Sequence, residues 1–194
     1  MSVEPKRRAQ LVEATIHEIG ETGSLNVTVS KIAKRAGVSS ALAFHYFGDK
    51  EQLFLASMRY ILAVYGAEVR GALRAAQTPK DRVTGIIRSS FTPANFRQDV
   101  IAAWLNFYVL ALTSPEAGRL LRVYHRRLHS NLVYALRQLV GDDAAPDVAK
   151  RISGLIDGLY LHYALNPSDS DGEHAEARVL TSLENEIAAY TGAH

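Results

Sequence analysis

Residues 28–50, TVSKIAKRAGVSSALAFHYFGDK, constrain this chain more than any other stretch. They read as two short helices joined by a tight turn. Thr28 has the side chain of an N-cap. Val29, Ile32, Ala33 and Ala36 follow at helical spacing, with Lys31, Lys34 and Arg35 on the other side. Gly37 supplies the left-handed stop that helix C-termini favour. Ser39 or Ser40 can cap a second helix that runs to about His45. A helix, a glycine turn and a capped second helix make a helix-turn-helix, whose second helix can enter a DNA major groove.

The side chains in this stretch suit DNA. Lys31, Lys34, Arg35 and Lys50 against Asp49 give a local excess of three positive charges on a chain of net charge +2. Ser39, Ser40 and Ala41 are small, and they open the helix whose first turn would meet the base edges. The hydroxyls of Thr28 and Ser39 can donate to phosphate oxygens beside free backbone N–H groups. His45 and Tyr46 can reach backbone or bases, while Phe47 packs inward. The competing reading is a helical hairpin whose basic face is merely solvated. Agreement between caps, turn, small residues and charge favours DNA. The candidate contacts are Thr28, Lys31, Ser39, Ser40, Ala41, His45, Tyr46 and Lys50.

The stretch resembles the DNA-binding segment of TetR-type repressors. Thr28, Ile32, Ala33, Ala36, Gly37, Val38, Ser39, His45, Tyr46, Phe47, Lys50 and Leu53 carry the resemblance. It implies double-stranded DNA as a partner.

The remaining periodicity predicts an all-α fold of about nine helices, with no strand pattern. Residues 4–22 form the first helix, ended by Gly23, with Lys6, Arg7 and Arg8 at its start. A helix dipole disfavours cations there, which suggests phosphate contact or a solvated, frayed end. Residues 49–76 predict a long fourth helix of about 40 Å, opened by an Asp49–Gln52 capping box. Further helices are expected at 81–91, 98–112, 115–140, 147–165 and 171–190, with loops at 92–95 and 166–170. The sixth is apolar nearly all round, and is expected at the centre of the second domain. The organisation is a DNA-binding domain over 1–48 and a ligand-binding and dimerisation domain over 49–194, connected by the helix 49–76.

Several chemistries have no residues to carry them. There are no cysteines, hence no disulfides or thiolates. No phosphate loop, nucleophile elbow or zinc-protease signature occurs, so no enzyme, catalytic residue or cofactor is expected. His125 and His129 are four apart but lie among arginines without a third ligand, so no metal is expected. No apolar run approaches the ~20 residues of a membrane span, and the N-terminus lacks the apolar core of a signal peptide. The expected location is the cytoplasm.

The second domain offers aromatic residues and one acid. Trp104, Phe107 and Tyr108 share a helix face; Asp157 and Tyr160 share another; Phe91 precedes the loop before the sixth helix. Asp157 lies within GLIDGLYLHYAL, an apolar run in which a carboxylate is expected to be buried and to need a partner. Aromatic rings and an acid suit a quaternary ammonium ligand. Equally, Gly154 and Gly158 form a flat strip, where a second subunit could dock and pair with Asp157. The candidate ligand residues are Phe91, Trp104, Phe107, Tyr108, Asp157 and Tyr160.

The segments KRRAQLVEAT, AWLNFY, RRLHSNLV and GLIDGLYLHYAL resemble BetI-type repressors, the choline-responsive branch of the TetR family. The resemblance implies a homodimer on a palindromic operator, and the last two helices are expected to hold that dimer together. It also implies choline as small-molecule effector and glycine betaine synthesis genes as targets. The segment SSALAFHYF departs from the Gly-Ile-Ile centre of that branch, so no operator sequence is carried over. The alternatives are a TetR-type repressor with another hydrophobic or cationic ligand, and a helical interaction protein without a specific operator.

Overall fold

The computed structural model describes residues 3–166 and 171–191, and among these the chain is helical throughout, without strands. The helices are α1 (Val3–Thr22), α2 (Val29–Arg35), α3 (Ser40–Phe47), α4 (Lys50–Ala75), α5 (Pro79–Ser90), α6 (Gln98–Thr113), α7 (Pro115–Val140), α8 (Ala145–Leu165) and α9 (Gly172–Thr191). All nine expected helices are present. Of the expected 166–170 loop, only Asn166 lies within the described residues.

Two starts come earlier than the periodicity suggested, for local reasons. At α5 the Thr78 hydroxyl accepts from the Asp81 N–H, and the Asp81 carboxylate accepts from the Thr78 N–H. This reciprocal cap puts Pro79 in the first turn, where its missing N–H costs nothing. α8 also starts with a proline, Pro146, in its first turn. At α4, Asp49 accepts from the Gln52 N–H at 2.8 Å, the expected cap.

The chain divides into two compact units. Met1–Ala63 and Arg97–Leu121 make the first; Val64–Phe96 and Arg122–His194 make the second. The first therefore contains α1–α3, the N-terminal part of α4, and α6. Leu11, Ile16, Ile19, Ile32, Leu53, Leu55, Met58, Ile101 and Phe107 are its fully buried large side chains. α6 lies close against α1: a Cβ on Gly20 would come within 2.6 Å of Asp99 Cα. Around that approach His17 Nδ1 meets Asp99 at 2.7 Å, and Arg97 reaches Glu13 at 2.9 Å and Asp99 at 2.8 Å. α6 is less enclosed than its composition suggested. Val100, Ile101, Ala103, Trp104 and Phe107 are buried, but Val109 and Leu112 are 64% and 84% exposed.

In the second unit Val83, Ile86, Ile87, Leu132, Leu136, Val148, Ile152, Val179 and Leu183 form the apolar core. Charged pairs fix its helices: Arg151 meets Glu186 through two nitrogens at 2.5 and 2.7 Å, and Arg88 meets Glu176 at 2.9 Å.

Candidate functional site

The first site is the α2–α3 hairpin. Thr28 is extended at its N-cap position and accepts from the Lys31 N–H at 3.2 Å. Gly37 takes φ +66°, a left-handed conformation that side chains with a Cβ rarely adopt. Ser39 is the second cap, accepting from the Leu42 N–H at 3.1 Å, and Ser40 is the first residue of α3. Both cap hydroxyls accept from the backbone, which leaves their hydrogens able to donate outward. Ala43 is the inward anchor of α3. Ser39, Ala41, Phe44 and His45 are exposed, and Ser40 and Tyr46 are half-buried. Phe44 is 48% exposed, an unusual position for a large apolar ring on a short helix, and a surface suited to a thymine methyl group.

Two cations of the expected basic face do internal work. Glu18 on α1 is 2% exposed; Lys31 reaches it at 2.7 Å and Arg35 at 2.5 Å, and Arg35 also meets Glu21 at 2.5 Å. Burial pushes the Glu18 carboxyl up, but its bonds from Lys31 and Arg35 outweigh that and hold it below the ordinary value of 4.5. The local charge offered to a partner is therefore smaller than the sequence count. Lys34 is exposed, and Lys50 lies 5.3 Å from the Phe54 ring. Arg8 is likewise used inside the protein. Its guanidinium lies 5.4 Å from the Tyr46 ring and 5.2 Å from that of Phe47, and it donates to the Tyr46 carbonyl at 2.7 Å. It thus covers the C-terminal end of α3, where a positive charge also suits the helix dipole.

The second site is aromatic and lies within the second unit. Glu68 of α4 accepts from Thr92 Oγ1 at 2.7 Å and Asn95 Nδ2 at 2.6 Å, and Asn95 Nδ2 also donates to the Ser89 carbonyl at 2.8 Å. These bonds fix the loop carrying Phe91 and Phe96. Their rings meet edge-on at 5.1 Å; Phe96 meets Tyr160 and Tyr163 at 5.2 Å each, and Phe91 lies 6.2 Å from Tyr160. The Tyr160 hydroxyl donates to the Ser90 carbonyl, so its polar end serves the C-terminus of α5. Tyr65 packs edge-on against Tyr124 at 5.5 Å. Burial pushes its hydroxyl up to about 12, and the charges of Asp157 and Glu68 push the same way.

The sequence-nominated ligand residues fall into two groups. Phe91, Asp157 and Tyr160 belong to the second unit. Trp104, Phe107 and Tyr108 belong to the first, where Trp104 and Tyr108 stack at 5.8 Å and Phe107 is fully buried. Asp157 corrects an expectation: it is exposed, not buried. It shares its exposed face of α8 with Gly154, Gly158, Leu161 and Leu165. An apolar sequence context implied burial, but that face of α8 is exposed among the described residues.

A model of the bacterial tetR family of regulatory proteins matches residues 11–57, and that of the BetI-type transcriptional repressor C-terminal domain matches residues 79–188. The chain belongs to the TetR family. Its C-terminal part is of the BetI type, and the protein is a DNA-binding transcriptional repressor rather than an enzyme. A relative from Brucella canis, an HTH-type transcriptional regulator BetI, is 49% identical over 92% of this chain and 90% of its own length. Another of the same name, from Rhizobium meliloti, is 47% identical over 85% and 81%. Among solved structures, a transcriptional regulator from Pseudomonas aeruginosa PAO1 superposes with a TM-score of 0.77 at 27% identity, covering 97% of this chain and 93% of that one. A transcriptional regulator from Saccharomonospora viridis, in complex with choline, superposes with a TM-score of 0.80 at 20% identity, covering 93% and 96%. No single described helix of this TetR-family chain is long and apolar enough to cross a membrane.

Sequence reasoning overlooked Glu18, Phe44, Tyr65, Glu68, Ser90 and Asn95 in this repressor. Glu18 was recoverable: it stands beside Ile19 and one turn from Ala14 and Thr15 in the buried stripe of α1, where a lone acid calls for a basic partner. Tyr65 and Ser90 carried no such signal, because their burial depends on helices distant in sequence.

Proposed function

We propose that this TetR-family repressor senses choline and controls genes for glycine betaine synthesis, acting in the cytoplasm as a homodimer on a palindromic operator. The carrying observation is the ring cluster of Phe91, Phe96, Tyr160 and Tyr163, with the charges of Asp157 and Glu68 acting on neighbouring Tyr65. A quaternary ammonium has no N–H to donate, so ring faces and negative charge are what hold it. BetI-named relatives that align with most of the chain support the reading, as does the choline carried by a protein of the same fold.

The exposed α8 face supports the dimer. An added Cβ at Gly154 or Gly158 would meet nothing within 4 Å, and Leu161 and Leu165 are 49% and 71% exposed. That is a flat apolar strip against which the same helix of a second copy, with α9, would pack. Two recognition helices would then stand roughly 34–36 Å apart, one turn of DNA. α4, whose residues belong to both units, carries the effect to the DNA-binding helices.

The test is calorimetric titration of choline into the purified protein, with a primary amine as control. Saturable choline binding that is weakened in Asp157→Asn supports the reading. Absence of binding would leave a TetR-family repressor with a different hydrophobic or cationic effector.

A further inference from the structure

α3 is lightly tethered for a helix that must meet base edges. It has eight residues, and Ala43, 1% exposed, is its only buried side chain. Glycines with positive φ bracket it, Gly37 at +66° and Gly48 at +80°. A helix of this length is about 12 Å long, so a tilt of ~10° about Ala43 would move its first turn by ~1 Å. A shift of that size breaks a hydrogen bond. α2 has less freedom, because Lys31 and Arg35 hold it to Glu18 of α1.

The tether at the C-terminal end of α3 is Arg8. The capping bond there runs from the Gly48 N–H to the Phe44 carbonyl, so the Tyr46 carbonyl lies beyond it. Arg8 Nη2 donates to that carbonyl at 2.7 Å, and the same guanidinium lies 5.4 Å from the Tyr46 ring and 5.2 Å from the Phe47 ring. Glu4, one turn earlier on α1, accepts from Arg8 Nε at 3.3 Å. Two edges of a planar group are therefore held at once, and its orientation is set. One side chain of α1 thus grips the backbone and both rings at the end of α3. Its position in the sequence suggested a phosphate contact, yet these bonds aim it at the protein. The Arg8 side chain is also 46% exposed, so its removal leaves no cavity.

We propose that Arg8 is a positioning residue for base recognition: it sets the tilt of α3, so that Ala41, Phe44 and His45 meet the base edges in register, and it contacts no phosphate itself. This rests on DNA binding alone and is independent of the effector. The two roles separate cleanly. A phosphate contact adds affinity for every duplex and adds to the salt slope. A tilt error harms only the complex that depends on base contacts, so operator binding suffers while binding to unrelated duplex does not.

The experiment first selects an operator from a random duplex library with the wild-type protein. That operator and an unrelated duplex of the same length are then titrated, over a range of salt, with the wild type, Arg8→Met and Arg8→Lys. Thermal melts give the folded fraction of each. Arg8→Met keeps the apolar stem and removes donors and charge. It should bind the operator about ten-fold more weakly, with unrelated duplex nearly unaffected and the salt slope unchanged. Arg8→Lys restores the charge but not the planar fork, so it should recover little of the loss. A slope reduced by about 1, or full restoration by Arg8→Lys, would make Arg8 a phosphate contact and overturn the proposal. Equal losses on both duplexes would do the same. Undiminished operator binding in both variants would show that α3 holds its tilt without Arg8. Affinity that falls only in step with the folded fraction would reduce Arg8 to a stabilising contact, and would overturn the proposal as well.

Discussion

The two units bury polar groups with partners of different strength. In the first, Glu18 is almost fully enclosed and is matched by Lys31 and Arg35. In the second, the Tyr65 and Ser90 hydroxyls are as deeply enclosed, and Tyr65 has the hydroxyls of Ser90 and Tyr124 for neighbours in place of charges. A matched buried charge fixes one arrangement, here α1 against α2. Neutral hydroxyls matched to one another hold an arrangement less strongly than a charge pair does. The first cluster belongs to the scaffold that presents α3, and the second adjoins the aromatic rings of the proposed effector site.

If that contrast is right, substitutions in the two clusters should change stability by clearly different amounts. The largest effect should come from Arg35→Ala, which leaves Glu18 with one half-exposed cation. The expected loss is about 2–3 kcal/mol in urea unfolding, below the full value for orphaning a buried charge because Lys31 remains. Acid should reproduce this loss in the wild type. The folded Glu18 carboxyl lies below its ordinary value, so its contribution is present above about 4.5 and is lost as pH falls through the folded value. Glu18→Gln should flatten that part of the stability–pH curve. A curve of unchanged shape would remove Glu18 from the scaffold.

Tyr65→Phe should cost less. It deletes a hydroxyl held by neutral hydroxyl neighbours and keeps the ring, so the effector-free protein should lose no more than about 1 kcal/mol. A loss as large as that of Arg35→Ala would collapse the contrast between the units.

The smallest effects concern DNA. Lys34→Ala or Lys50→Ala, if each meets a phosphate, should weaken binding to all sequences alike and reduce the salt slope by about 1. Lys31→Ala should lower stability by more than it changes the slope, since its ammonium is held by Glu18. Ala41→Ser or Phe44→Ala should change which bases are preferred.

What could be read from residues alone was what neighbours in sequence decide. Thr28, Gly37 and Ser39 act within three or four positions of themselves, and each has the cap or turn role expected of it. Helix number followed from periodicity for the same reason. The charge balance of the hairpin was misread, because α1 supplies Glu18 from 13 and 17 positions away from its partners Lys31 and Arg35. Asp157 was misread in the opposite direction. Apolar neighbours such as Gly154 and Leu161 imply burial in one chain, but their face of α8 is exposed, and a second copy is the proposed cover. The Tyr65–Ser90 pair lay beyond sequence reasoning altogether, since α4, α5, α7 and α8 must all be assembled before either hydroxyl is enclosed.

The central claim is that effector and operator oppose each other on one molecule, and linkage makes it directly measurable. The operator is first selected from a random duplex library. Choline affinity is then measured with and without saturating operator, and operator affinity with and without saturating choline. The account predicts that each weakens the other by the same factor, typically 5–150-fold for such coupling. Choline that binds with the same affinity whether or not DNA is present would contradict it.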